Sequence, residues 1–139
     1  MSYLLDTCAI TEFTRRQPEP KVIQWLASAD ELSLYLSAIS VGEIQRWIAR
    51  LPDSARKDAL ARWLEMELVQ RFSERLLPLD ANTLFVWGNL TARLERNGQS
   101  MPAVDALIAA TALQYDLTLV TRNQSDFEHS GVENFNPWL

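Results

Sequence analysis

The sequence predicts an α/β fold built on a short, mainly parallel sheet. Three observations carry that expectation. Short apolar, β-like pieces alternate with longer helical stretches along nearly the whole chain, the pattern of strands joined by helical crossovers. Pro20 and Pro102 stand where helical stretches open, and Asn97-Gly98 stands where one closes, as helix ends favour. Finally, 139 residues with 47% hydrophobic and 22% charged content suit one globular domain with a real core.

The β-like pieces are Tyr3 to Leu5, Leu32 to Leu36, Leu76 to Leu79 and Thr118 to Thr121, and the terminal VENFNPWL is expected to add an edge strand. A first helix is expected over Ala9 to Arg16, before Pro18 and Pro20 break the chain. Pro20 opens a second, with Val22, Trp25 and Leu26 on one face. Ser40 starts a third through Val41, Ile44, Trp47, Ile48 and Leu51, and Asp53 to Arg75 is a long helical stretch with room for a break. Asp80 looks like the N-cap of a helix running to about Arg96. Pro102 opens the last helix, with Leu107, Ile108, Thr111, Ala112 and Tyr115 at helical spacing. There is no repeat, low-complexity tract or flexible linker, so residues 1–139 are expected to form a single domain.

Bulk properties narrow the classes. No apolar run approaches the roughly 20 residues that span a bilayer, and MSYLLDTCAI lacks the basic start of a signal peptide. A single cysteine, Cys8, excludes an internal disulfide framework. Both features point to the cytoplasm and to no membrane partner. The net charge of −5 argues against a broad basic face, but the cations are skewed, eleven arginines to two lysines. Most of those arginines are expected in surface ion pairs, with Arg15 and Arg16 a local patch suited to a phosphate backbone.

The chemistry-bearing residues are carboxylates far apart in sequence. Asp6 ends the first strand, Glu43 and Asp105 fall in early helical turns, and Asp126 follows the strand ending at Thr121. Ligands of open α/β sheets bind beyond the carboxyl ends of the strands, so the four acids are expected to share one cleft. Converging carboxylates repel, and a hard cation such as Mg²⁺ or Mn²⁺ relieves them. Each acid also has a plain structural reading. Asp6 can cap a helix, and Ser40-Val41-Gly42-Glu43 fits a capping box. Asp105 can favour a helix dipole and Asp126 can cap a short turn. Asp105 is the least comfortable in that role, because its neighbours are Ala103, Val104, Ala106, Leu107, Ile108 and Ala109. Gly42 weakens a helix by about 1 kcal/mol against alanine, which a close approach to its backbone explains. His129 is expected at the surface and Cys8 as a small buried residue. The five tryptophans read as core or interface. Neither glycine-rich phosphate-binding motif is present.

Taken in order, LLDT, the S-x-x-E at Ser40, P-x-x-D-A-L-I-A-A-T-A and T-L-V-T-R-N-x-x-D-F resemble the PIN-domain family. More narrowly the chain resembles VapC-type toxins of toxin–antitoxin pairs, and G-V-E-N-F-N-P-W resembles their FitB-like branch. The likeness spans nearly the whole chain. It implies a three-layer α/β/α sandwich and a Mg²⁺- or Mn²⁺-dependent endoribonuclease acting on tRNA or another structured RNA. It also implies a homodimer, a VapB-like antitoxin partner, and contact with operator DNA only through that antitoxin.

Asp6, Glu43 and Asp105 match the family's first three acids. Its fourth position, directly after the T-R pair, is Asn123 here, and Asp126 stands three residues later. On this reading Asp6 and Asp105 hold the metal, and Glu43 and Asp126 complete the acidic pocket and activate water. Thr7, Thr121 and Asn123 then position water or phosphate. The alternative is a chain whose main work is to bind antitoxin in an operon-regulating complex. A haloacid-dehalogenase phosphatase is disfavoured by Cys8 where a second Asp is needed, and a receiver domain by the lack of a lysine after a late strand.

Overall fold

The computed structural model describes residues Met1–Leu139. Five strands, β1 (Tyr3–Leu5), β2 (Leu34–Ser37), β3 (Leu76–Leu77), β4 (Thr118–Val120) and β5 (Asn134–Phe135), form one sheet in the order β3-β2-β1-β4-β5. Every pairing is parallel, with Tyr3 opposite both Leu34 and Thr118. The chain lays down β1, β2 and β3 on one side, then crosses back to place β4 against the other side of β1. The order therefore reverses between β1 and β4, where α/β sheets open a crevice.

Because successive strand residues face opposite ways, the sheet feeds two cores. Leu5, Leu34, Leu36 and Val120 pack with α1 (Thr7–Thr11), α2 (Pro20–Ser28), α3 (Ala38–Ala49) and α4 (Ala55–Arg62). Leu4 and Leu119 pack on the other face against α6 (Ala81–Arg96) and α7 (Ala103–Gln114). This is the expected three-layer sandwich.

The expected break within Asp53 to Arg75 is a stretch of π geometry, Trp63–Leu68, between α4 and the short α5 (Val69–Arg71). Leu60, Leu64, Leu68 and Phe72 are all buried at four-residue spacing. An ordinary helix of about 3.6 residues per turn lets such a row drift around its axis, and the wider π stretch winds it back. These four residues belong to the core on that face of the sheet.

Several boundaries differ from the sequence reading. The first helix starts earlier and is shorter, Thr7–Thr11 with a 3₁₀ turn at Glu12–Thr14, because Asp6 caps it directly. The second strand begins at Leu34, after a 3₁₀ turn capped by Asp30. The helix assigned to Ser40 starts at Ala38, because the Ser37 hydroxyl accepts from Ile39 N–H and takes the cap. Ser40 is instead buried in its first turns, its hydroxyl without a partner in the chain. Asp80, Pro102 and Gly98 (φ +67°) stand at helix ends as expected. The terminal edge strand is β5.

Arginines depart most from expectation. Only Arg15, Arg71 and Arg75 form ion pairs with acids. Arg75 clips the β2–β3 edge, donating to the carbonyls of Glu31 and Leu34 at 2.6 Å each and of Arg71 at 2.9 Å. Its guanidinium also lies 4.6 Å from the centre of the Phe72 ring.

Candidate functional site

Asp6 leaves β1 at the reversal point, and its N–H donates to the carbonyl of Val120 on β4 at 3.0 Å, which extends the ladder by one residue. Asp6 as a whole is only 7% exposed. Oδ1 accepts from Thr7 N–H at 2.8 Å, and Oδ2 accepts from the Thr121 hydroxyl at 2.7 Å. Asp6 is therefore a helix cap and a site residue at once. Burial nonetheless raises its pKa above the ordinary carboxylate value, against the lowering effect of those hydrogen bonds. Thr121 is fully buried, and its hydroxyl also accepts from Asn123 N–H at 3.1 Å, so one side chain ties β4 to β1 and to the following turn.

Glu43 lies one turn further into α3 than expected. With the cap supplied by Ser37, the capping-box role falls away, and its Oε1 accepts from the Thr7 hydroxyl at 2.7 Å instead. Thr7 thus links the first helix to the second acid. Asp105 sits in the first turn of α7, half-buried, with no hydrogen-bond donor of the chain on its carboxylate. Its pKa is pushed up to about 6, first by burial and then by the negative charges of Asp6, Asp126 and Glu43. Asp126 lies exposed in the 3₁₀ turn Gln124–Phe127, and its carboxylate caps nothing. Asp105 and Asp126 line a common cleft of about 340 Å³ with Ser125 and the exposed His129.

The charges of Asp6, Glu43 and Asp126 therefore all act on Asp105, and that of Asp126 also acts on Asp6, from four separate elements. No lysine or arginine is paired with any of them. The donors are hard oxygens, the kind Mg²⁺ and Mn²⁺ take. As the side chains lie, no three of the acids stand close enough to hold one ion between them. Asn123 is exposed, and its side chain makes no hydrogen bond.

Three residues differ from the sequence reading or were absent from it. Cys8 is half-buried beside the site rather than in the core, its Sγ 3.6 Å from Asp6 Oδ2 and 3.8 Å from Thr121 Oγ1. Burial and the Asp6 charge push that thiol up to about 11. Glu12, 2% exposed, is an internal carboxylate that accepts from Glu19 N–H at 3.0 Å and pairs with Arg15 at 3.3 Å. Its Glu-x-x-Arg spacing was the available signal. Gly42 also differs from expectation. A methyl group built there meets no atom within 4 Å, so no segment of this chain approaches its backbone.

A buried capped acid at the β1–β4 reversal, surrounded by three others, defines the fold and site class, and the family model described as "PIN domain" matches residues 3–131. The chain belongs to the PIN-domain family. It is 37% identical over 135 residues to Toxin FitB of Neisseria gonorrhoeae, covering 97% of each protein. It is 33% identical over 135 residues to VapC ribonuclease Y4jK of Sinorhizobium fredii, covering 97% of this chain and 96% of that protein. Among solved structures, that of FitAB bound to an IR36 DNA fragment superposes with a TM-score of 0.93 at 35% identity, covering 99% of this chain and 96% of that one. No helix here is long and apolar enough to cross a membrane.

Proposed function

We propose that this chain is the toxin of a toxin–antitoxin pair, a Mg²⁺- or Mn²⁺-dependent endoribonuclease of the cytoplasm that hydrolyses tRNA or another structured RNA. The observation that carries it is the convergence of Asp6, Glu43 and Asp126 on Asp105 from four separate elements, with no cationic side chain paired to any of the four. Likeness to a protein named a VapC ribonuclease supports the reaction class. Likeness to a FitAB complex on DNA supports a VapB-like antitoxin partner that carries the DNA contact. The chain works as a single domain and as a homodimer.

Asp6 and Asp105 would hold the metal. When bound, a divalent cation supplies a lowered water pKa and a polarised phosphoryl group. The chain's own residues do the rest. Thr7 N–H, the Thr121 hydroxyl and the Cys8 thiol fix the Asp6 carboxylate, and its Oδ1, which accepts from Thr7 alone, retains a lone pair for a further contact. Glu43, held by the Thr7 hydroxyl, or Asp126, exposed at the cleft mouth, takes the proton of the attacking water. Asp126 rather than Asn123 serves as the fourth acid, because it is the one whose charge reaches Asp6 and Asp105. Thr121 orders the turn bearing Asn123, which positions water or phosphate.

Incubating purified, antitoxin-free protein with end-labelled RNA in Mg²⁺, Mn²⁺ or EDTA tests this reading. Internal cleavage in either metal and none in EDTA is expected. A chain that binds antitoxin tightly yet leaves RNA intact in both metals would place its work in operon regulation instead.

A further inference from the structure

Resting on the nuclease reading, one pocket beside the acids says where the RNA backbone runs. Thr7, Thr14, Arg15, Glu43, Trp47 and Arg56 line a recess of about 280 Å³ between α1, α3 and the start of α4. Glu43 and Thr7, which hydrogen-bond each other, form its wall toward the acid cluster. The opposite wall is cationic, and its two guanidiniums are held quite differently from the surface arginines elsewhere.

Arg15 is anchored from beneath. Its Nη1 alone faces the buried Glu12 carboxylate, at 3.3 and 3.4 Å from the two oxygens, while Nε and Nη2 have no partner in the chain. An internal carboxylate is costly to bury, and Glu12 is used here to orient one edge of a guanidinium and leave its other donors free. Glu12 is itself pinned by the N–H of Glu19, just before α2. Arg56 forms no ion pair and lies over the Trp47 ring, 6.0 Å from its centre. Two pre-positioned, incompletely used guanidiniums beside a threonine hydroxyl match a phosphodiester, which accepts bidentate contacts from planar forks. The cleft on the far side of the acids, with Asp105 and Asp126, has no arginine or lysine in its lining. Of the two arginine-bearing recesses at Glu43, the one with Arg46 and Arg50 lacks Thr7, and the one with Arg15 and Arg56 reaches both Glu43 and Thr7.

We propose that this recess is a phosphate subsite, in which Arg15, positioned by Glu12, and Arg56 grip a backbone phosphate of single-stranded RNA next to the one being cleaved. The arginines are binding residues and Glu12 is a positioning residue.

The test uses full-length protein in an Asp105→Asn background with Mg²⁺ and a fluorescein-labelled single-stranded RNA of mixed sequence. Affinity is followed by anisotropy across a salt series. For single strands, each lost phosphate contact flattens the plot of log K against log salt by roughly 0.7. Arg15→Gln and Arg56→Gln are each expected to flatten it by about that amount and to weaken binding several-fold at low salt. With Asp105 restored, both are expected to raise KM more than they lower kcat. Glu12→Gln is expected to weaken binding less than Arg15→Gln and to add nothing in the double variant. Thermal unfolding confirms that each variant folds, and the exposed Arg56 keeps the test open if Glu12→Gln does not.

Unchanged affinity and slope in both arginine variants, with wild-type cleavage intact, overturn the subsite and leave the nuclease standing. Loss of antitoxin binding with RNA binding unchanged assigns the recess to the protein partner and likewise overturns it. Absence of any RNA binding by the parent protein overturns the subsite, and absence of metal-dependent cleavage by the wild type overturns the nuclease reading as well.

Discussion

Asp105→Asn should make the metal-free protein more stable at neutral pH while removing its activity. The Asp105 carboxyl has a folded-state pKa of about 6, against roughly 3.9 for an unfolded aspartate. Below about pH 4 the group is protonated in both states and costs nothing. Between about pH 4 and 6 the unfolded chain ionises first, so folding loses stability as pH rises, and above about 6 the full repulsion is present. A two-unit shift corresponds to roughly 2.7 kcal/mol, but the side chain is only half-buried and solvent screens it, which leaves about 1 kcal/mol. Asparagine removes the charge and sacrifices no hydrogen bond, because the carboxylate has no donor on it. In EDTA at pH 7.5 the variant should melt about 3 °C above wild type, and that gain should vanish near pH 4. Mg²⁺ should raise the wild-type Tm and leave the variant's nearly unchanged. A variant less stable than wild type at pH 7.5, or a gain that persists at pH 4, would refute the reasoning.

Further outcomes follow from the same geometry. Thr7→Val, which strips Glu43 of its 2.7 Å hydroxyl donor, should lower kcat at least about tenfold and lower Tm by a few degrees, since hydrogen bonds to charged groups are worth about 1.5–3 kcal/mol. Arg75→Ala, which opens the clip on the Glu31 and Leu34 carbonyls, should cost about 2–3 kcal/mol in urea unfolding. Glu31, held down to about 2 chiefly by hydrogen bonding to Arg71, contributes stability that is present above its unfolded pKa near 4.3 and lost as pH falls toward 2. Arg71→Gln should therefore remove about 1 kcal/mol at pH 7, after allowance for exposure, and much less at pH 2. Gly42→Ala, which meets no neighbour, should add up to about 1 kcal/mol of helix stability.

The fold was legible because its signals are local. Alternating apolar pieces, Pro20, Pro102, the Asp80 cap and Gly98 each act within a few residues and agree with one another. The four acids were legible as a group for a different reason, since strand ends and early helix turns gather at one edge of an α/β sheet. What failed was choosing between neighbours that satisfy the same rule. Ser37 and Ser40 are equally good caps in sequence, and the end of β2 decided between them. That choice moved Glu43 from a capping box to a contact with Thr7. The role of Glu12 was hidden because Glu-x-x-Arg on a short helix ordinarily means a solvated pair, and only the return of the chain at Glu19 buries it. Most arginines, expected in ion pairs, form none, since pairing depends on tertiary placement that sequence spacing does not report.

The most direct measurement is cleavage of labelled RNA by antitoxin-free protein in Mg²⁺, comparing wild type with folded Asp6→Asn and Asp105→Asn variants. Metal-dependent internal cleavage by wild type is expected, with losses of at least about 100-fold in each variant, the scale at which removal of one electrostatic group at a reacting centre acts. Undiminished cleavage by both variants would contradict it.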